Sequence, residues 1–119
     1  MKTKEEWKAQ VREYVAGHRG TSFAEIDRWE GARGNSQIWI EEKNIVFWTG
    51  LDHHLVEAIL EMKDSGELIF SPAHLMIYLC DGAMPQLPLV KRNRAYKTEH
   101  WLPVTMNLSK TCVQVNKKD

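Results

Sequence analysis

Apolar residues recur at helical spacing in three separate stretches of this 119-residue chain. Each stretch follows a residue that can cap a helix, because its side-chain oxygen accepts a hydrogen bond from a backbone N–H of the first turn. In the first two stretches, a Glu three positions later completes a capping box. The pattern predicts helices after Thr3, Ser22 and Asp52, with apolar faces formed by Trp7, Val11, Tyr14 and Val15, by Phe23, Ile26 and Trp29, and by Leu51, Leu55, Ile59 and Met62.

Two further patterns predict strands. Residues 37–48 hold two β-branched and aromatic runs around a polar tetrapeptide, which is typical of a hairpin. Residues 100–108 alternate between apolar and polar side chains and predict a strand with one buried face. The first pattern inserts a hairpin between the second and third helices, and the second places a strand in the C-terminal tail.

A second hairpin is predicted directly after the third helix. Gly66 can adopt the left-handed conformation that ends a helix, and β-favouring residues 68–70 follow at once. Ser71 to His74 then supplies a turn. The continuous apolar run from Leu75 to Cys80 predicts the second strand, buried on both faces.

The order helix, helix, hairpin, helix, hairpin over residues 3–80 resembles winged-helix domains. This resemblance implies that the helix after Asp52 is a recognition helix and that residues 71–74 form the tip of the wing. We therefore expect a single α+β domain over residues 1–119, with a winged-helix-like core of three helices and a wing hairpin at 3–80. The inserted hairpin and the strand-containing C-terminal extension at 81–119 are additions to that pattern.

Composition is that of a globular protein, with 43% hydrophobic and 27% charged residues. No apolar run reaches the roughly 20 residues of a membrane helix, and the N-terminus lacks the apolar stretch of a signal peptide. Cys80 and Cys112 do not have CxxC spacing. We therefore expect a cytoplasmic protein that does not enter a membrane, with reduced thiols, the alternative being a disulfide between the two cysteines.

The formal net charge of zero conceals an asymmetry. Residues 1–70 contain nine Lys/Arg and thirteen Asp/Glu, whereas residues 71–119 contain seven and three. A basic run of this kind is either a solvated loop or a contact with a polyanion. When four cations neutralise four phosphates, the logarithm of the binding constant falls with the logarithm of the salt concentration with a slope of about −3.6, which we call the salt slope. This is enough for weak binding or for one half of a dimer's footprint. The basic excess centres on Lys91, Arg92, Arg94 and Lys97.

The predicted recognition helix is a poor reader of the DNA major groove. Its exposed positions are His53, His54, Glu57, Glu61, Lys63 and Asp64, and carboxylates there repel the phosphates that flank the groove. If DNA binds, we expect the basic run to supply the main phosphate contacts. The predicted nucleic-acid contacts are thus Lys91, Arg92, Arg94 and Lys97, followed by His53, His54 and Lys63.

Motifs for catalysis are weak. His53, His54 and Glu57 have metal-ligand chemistry at helical spacing, but they lack the HExxH order that supplies two zinc ligands and a base, and we interpret them as surface residues. The sequence contains no GxSxG, GxxxxGK[ST] or GxGxxG motif. We expect a protein that is not an enzyme and has no cofactor.

The hairpin at 37–48 presents apolar groups on both faces, including Trp39 and Trp48. One layer of helices cannot bury both faces of a two-stranded ribbon. Either the tail strand near Trp101 covers the second face, or another chain does, which would make Trp39 and Trp48 partner contacts. The favoured hypothesis is a small regulatory or adaptor protein that binds DNA weakly as an oligomer; the alternative is a protein-interaction module that binds no nucleic acid.

Overall fold

The computed structural model of the protein describes residues 2–92 and 94–109. Helices and strands alternate along most of this length, and the tail adds two strands to the sheets built earlier in the chain. The elements are α1 (Lys4–Gly17), β1 (Thr21–Ser22), α2 (Phe23–Asp27), β2 (Arg33–Ile40), a 3₁₀ turn (Glu41–Lys43), β3 (Ile45–Leu51), α3 (His53–Asp64), β4 (Leu68–Pro72), α4 (Met76–Asp81), β5 (His100–Trp101) and β6 (Val104–Leu108).

Three helices begin where the capping patterns predict. The capping box of α1 joins Thr3 to Glu6, and that of α2 joins Ser22 to Glu25. Asp52 caps α3 by accepting two backbone N–H bonds from its first turn. Each cap stabilises its helix by about 1 kcal/mol, because it satisfies N–H groups that have no partner within the helix. These three helices are confirmed.

The inserted hairpin is confirmed as β2 and β3, which pair antiparallel with Ile40 opposite Ile45. A 3₁₀ turn joins the strands and ends at Asn44, whose φ of 54° lies in the left-handed region that Asn tolerates better than most residues. The tail strand β5 then adds to β3 in parallel, with Val46 opposite Trp101. The first sheet therefore has the order β2–β3–β5 and joins the middle of the chain to its tail.

The second sheet has the order β1–β6–β4, so the tail strand β6 lies at its centre. Antiparallel pairing runs from Leu68 opposite Leu108 to Pro72 opposite Val104. The single strand predicted for residues 100–108 is interrupted, because Leu102 and Pro103 separate β5 from β6 and the two strands lie in different sheets. The predicted alternation holds over β6, where Val104 and Met106 are buried. The partner of β4 thus comes from the tail and not from the residues that follow the Ser71-to-His74 turn.

The predicted second strand of the wing hairpin is wrong. Residues from Leu75 to Cys80 enter a fourth helix, α4, which ends at Gly82 with a φ of 85°. A short apolar run has the same appearance in a buried strand and in a helix, so its periodicity could not distinguish the two. Its burial was also predicted wrongly: Tyr78 is the buried side chain of α4, and Cys80 is exposed. Cys112 lies outside the described residues.

The face of the hairpin that carries Trp48 is buried by three elements together, because Phe23 of α2, Tyr78 of α4 and Trp101 of the tail all contact the Trp48 ring. The tail contributes to this burial, while β5 itself joins the sheet beside β3. Trp101 is fully buried and meets Trp48 edge-on, with ring centroids 6.4 Å apart. Tyr78 fills the space beside them, 5.4 Å from Trp48 and 5.0 Å from Trp101. Aromatic rings at such distances stabilise a fold by more than the burial of their apolar area alone. These rings link the first sheet, α4 and the tail in one core.

Within residues 2–92 and 94–109 the protein is a mixed α+β fold with four α-helices and two three-stranded sheets, where the sequence predicted three helices. None of the helices described there has the length and apolar character needed to cross a membrane.

Candidate functional site

The predicted basic run lies in a loop that the tail strand β5 holds at its start and the hairpin turn holds at its end. At its start, Val90 donates a backbone hydrogen bond to the Trp101 carbonyl (2.8 Å). At its end, the Tyr96 N–H donates to the Lys43 carbonyl (2.9 Å), and the Asn44 amide donates back to the Tyr96 carbonyl (2.8 Å). The left-handed conformation of Asn44 places these groups at the hairpin turn. Residues distant in sequence therefore position the basic loop.

Tyr96 organises the interior of this loop. Its hydroxyl oxygen accepts hydrogen bonds from the N–H groups of Lys91 and Arg92, both at 3.0 Å, and its hydroxyl lies 3.1 Å from the Arg92 carbonyl, to which it donates. The Arg92 backbone contact makes the largest contribution to a lowered pKa of Tyr96, and the Lys91 N–H and the nearby Arg94 act in the same direction. Successive N–H groups aimed at one oxygen form an anion-binding arrangement, which here holds the phenol.

The stacked rings of Tyr96 and His100 form a surface that we call the aromatic wall. The His100 ring stacks on it with centroids 3.9 Å apart and planes 19° apart, and the Arg94 guanidinium carbon lies 5.0 Å from the Tyr96 centroid. The Nδ1 of His100 lies 2.9 Å from the Thr98 carbonyl oxygen, a contact that fixes the direction of the imidazole. Cation–π attraction keeps Arg94 against the ring while its charge stays in water.

Three of the four predicted phosphate contacts line one open cleft of about 530 Å³, which we call the basic cleft. In the part of the chain that the structure describes, none of Lys91, Arg92, Arg94 and Lys97 has a carboxylate within ion-pair distance. Lys97 is exposed and lies outside the cleft lining. The lining residues are Pro88, Leu89, Lys91, Arg92, Arg94, Tyr96 and His100.

The predicted helix contacts lie elsewhere. His53 and His54 are in the first turn of α3 and both approach the Glu57 carboxylate, at 3.3 and 3.4 Å. Lys63 lies at the other end of α3, with its ammonium 5.7 Å from the Phe70 ring centroid. None of these three basic side chains lines the basic cleft. The structure therefore divides the predicted nucleic-acid contacts into a loop set and a helix set.

The acidic face predicted for α3 is partly neutralised by α1. The Glu61 carboxylate accepts hydrogen bonds from Lys4 (2.6 Å) and Lys8 (2.7 Å), and the Lys4 contact is the first cause of the lowered pKa of Glu61. Arg12 pairs in the same way with Glu67, beyond the end of α3. Sequence reasoning missed these pairs because their members are more than fifty positions apart.

The metal hypothesis at His53, His54 and Glu57 receives no geometric support from the described residues. Among residues 2–92 and 94–109, no group of three His, Cys, Asp or Glu side chains is placed to hold a metal ion.

The two predicted partner contacts differ in accessibility. Trp39 is partly exposed, whereas Trp48 is 4% exposed and its indole N–H donates to Asp27 at 3.3 Å. Trp48 is a core residue, and a partner on this hairpin meets Trp39 alone of the two. A different apolar surface, missed in the sequence, lies on α4 and just after it. Its exposed members, which we call the α4 patch, are Met76, Ile77, Leu79 and Met84.

Comparison of the chain with protein-family models, with curated proteins and with solved structures gave no match.

Proposed function

We propose that this chain is a small non-enzymatic regulatory or adaptor protein that binds DNA through the basic cleft. The observation that carries the proposal is the clustering of Lys91, Arg92 and Arg94 around one cleft with no carboxylate in its lining. Phosphate contacts supply most of the affinity of nonspecific DNA binding, and they require cations that are not already paired. The Tyr96 hydrogen bonds hold the loop in place before binding, which lowers the entropy cost of association.

A winged-helix-like scaffold is part of this proposal. After α3, strands β4 and β6 form an antiparallel pair, as the two strands of a wing do, with residues 73–103 between them in place of a tight turn. The basic loop belongs to this insertion. DNA contact through the insertion fits the charge distribution better than groove reading by α3, whose first turn carries His53 and His54 beside Glu57.

The test is fluorescence anisotropy of a labelled duplex at about 50 and 200 mM salt. With four phosphate contacts we expect affinity to fall by about two decades over this range. The variant K91Q/R92Q/R94Q should bind weakly and should lose about 2.7 units of the salt slope. The control R19Q/R28Q/R33Q removes the same charge from exposed positions outside the cleft. Equal binding by both triple variants contradicts the proposal.

A second candidate is a protein-interaction module whose partner is another copy of the chain, docked through the α4 patch. Four large apolar side chains lie within nine positions, with exposures of 52% at Met76, 38% at Ile77, 50% at Leu79 and 45% at Met84. Asp81 is the one Asp, Glu, Lys or Arg in residues 71–90, and it accepts a hydrogen bond from Ser22 at 2.6 Å.

Such a surface offers no charge to a charged partner, so its complement is an uncharged apolar surface such as the same patch on a second copy. A formal net charge of zero also removes repulsion between copies near neutral pH. Sedimentation over a concentration series tests this, with Leu79→Glu expected to abolish association. Ile69→Glu changes an apolar residue of similar exposure (45%) on β4 and should leave it intact. A wild-type monomer throughout contradicts this candidate.

A further inference from the structure

We propose that the basic cleft holds an unstacked nucleotide, so that the preferred ligand is single-stranded DNA rather than duplex. This inference rests on the proposed function and names its substrate class. The cleft is chemically divided: Pro88 and Leu89 supply apolar surface, and Lys91, Arg92 and Arg94 supply positive charge. A nucleotide has the same division, with a flat apolar base attached to an anionic phosphate.

Duplex DNA does not match both halves of this cleft. Its bases are paired and stacked inside the helix, so its phosphates would meet the cations while the apolar part stayed empty. A single strand can turn one base out and fill both halves at once. Charge alone favours the duplex, which has the higher density of phosphates. A preference for the single strand therefore reports on contact with a base.

The aromatic wall supports base contact independently of charge. His100 and Tyr96 are already stacked at 3.9 Å, so their π-surface is ordered before a ligand arrives. Bases stack on aromatic side chains with little dependence on sequence, because every base has a π-face. We therefore expect the base to increase the binding affinity without a strong preference for one base over another.

The size and surroundings of the cleft fit this ligand. A volume of about 530 Å³ lies in the range of small-molecule sites and suits one nucleotide rather than a long groove. The basic cleft has no carboxylate in its lining, unlike three other clefts of the described chain. One of those three is lined by Glu57, the second by Glu30 and Asp52, and the third by Glu13.

The experiment compares four labelled ligands by anisotropy at about 50 mM salt: a thymidine 12-mer, an abasic strand with the same phosphates, a 12-base-pair duplex and a uridine 12-mer. We expect the thymidine strand to bind about tenfold more tightly than the abasic strand and the duplex. Binding of the thymidine strand above the abasic level supports the inference. The uridine strand, which carries a 2′-OH and lacks the thymine methyl group, then shows whether these two groups together change the affinity.

His100→Ala tests the wall. It should lower thymidine-strand binding to the abasic level and leave duplex binding and the salt slope unchanged. The matched control is His18→Ala, because His18 also stacks on a tyrosine, Tyr14, at 3.9 Å, but in a cleft that contains Glu13. If His100→Ala fails to fold, the comparison of base-bearing with abasic strands on the wild-type protein decides.

Equal affinity for the abasic and thymidine strands, or a preference for duplex, overturns this inference and leaves the proposed DNA function standing. Absence of binding to all four ligands overturns both.

Discussion

Tyr78 is the residue that joins α4 to the rest of the fold. Its side chain is fully buried, and its hydroxyl accepts a hydrogen bond from the Phe23 N–H (3.0 Å) and donates one to the Val104 carbonyl (2.7 Å). Burial is the main reason that the pKa of Tyr78 is raised. The Tyr78 hydroxyl thus forms hydrogen bonds with a backbone N–H of α2 and a backbone carbonyl of β6, which would otherwise be buried without a hydrogen-bond partner.

Removing this hydroxyl with Tyr78→Phe should lower the free energy of unfolding by about 2 kcal/mol, because a buried N–H loses its partner. Urea unfolding measures the change. Tyr14→Phe is the control: it removes a hydroxyl that donates to Glu25 at 2.7 Å at a partly exposed position, and should cost less than half as much. Equal losses in the two variants would show that burial of the hydroxyl is not decisive.

Glycine at position 34 is required by close backbone packing. A Cβ built there would lie 2.7 Å from the Leu51 carbonyl oxygen and 2.8 Å from the Asp52 Cα, closer than real Cβ atoms come. At Gly17, near the end of α1, no atom lies within 4 Å of the added Cβ. The register of β2 against β3 shifts beside Gly34, as at a bulge.

Gly34→Ala should therefore destabilise the protein by about 2 kcal/mol, since strand backbone must move to relieve the contact. Gly17→Ala adds the same methyl group where there is space, and should be neutral or stabilising by about 0.5 kcal/mol. Thermal unfolding of both variants measures the difference. A Gly34→Ala protein as stable as the wild type would contradict the packing argument.

Helix starts could be predicted from the sequence because each depends on residues that are close in the chain. Thr3 with Glu6 and Ser22 with Glu25 form their caps across three positions, without help from the rest of the fold. The residues from Leu75 to Cys80 had no such local signal. Their conformation is fixed by Tyr78, whose hydroxyl contacts lie 55 and 26 positions away at Phe23 and Val104.

The pairing of α1 with α3 is an element-scale contact that depends on ionised carboxylates. Lys4 and Lys8 donate to Glu61, and together they lower its pKa below the usual value of 4.5. A carboxyl group whose folded pKa is lowered stabilises the fold above its unfolded pKa. This contribution is lost as pH falls below 4.5 and through the folded value.

Between pH 6 and pH 3 the wild-type protein should therefore lose stability, and Glu61→Gln should lose less over the same interval because it has no carboxylate to protonate. The urea midpoint, measured at several pH values, tests this. Glu13→Gln, at an exposed position on α1, should retain the wild-type dependence. If Glu61→Gln follows the wild-type curve, the ion pairs do not contribute to the acid response.

At the scale of the whole molecule, the sequence predicts only part of the candidate site. Charge counting located Lys91, Arg92 and Arg94, because an excess of basic residues is a local property. The cleft itself depends on the hairpin turn at Asn44, which reaches residues more than fifty positions away. Such contacts leave no periodic pattern in the sequence.

Both sheets join segments from distant parts of the chain, and this should make unfolding cooperative. In one sheet β6 lies between β1 and β4, and in the other β5 pairs with β3. Neither sheet is complete without the tail. Residues 3–80 alone contain one strand pair, β2 with β3, and leave β1 and β4 without a partner strand. We expect tryptophan fluorescence and far-UV circular dichroism to report one coincident urea transition.

A cavity in the central strand tests this coupling. Met106→Ala removes a fully buried side chain of β6 and should shift both transitions together, by about 2–5 kcal/mol. Met84→Ala makes the same change at a position that is 45% exposed and should shift neither by more than about 0.5 kcal/mol. If Met106→Ala instead separates the two probes, the core of residues 3–80 holds its structure without β6, because fluorescence and circular dichroism would then follow different parts of the chain.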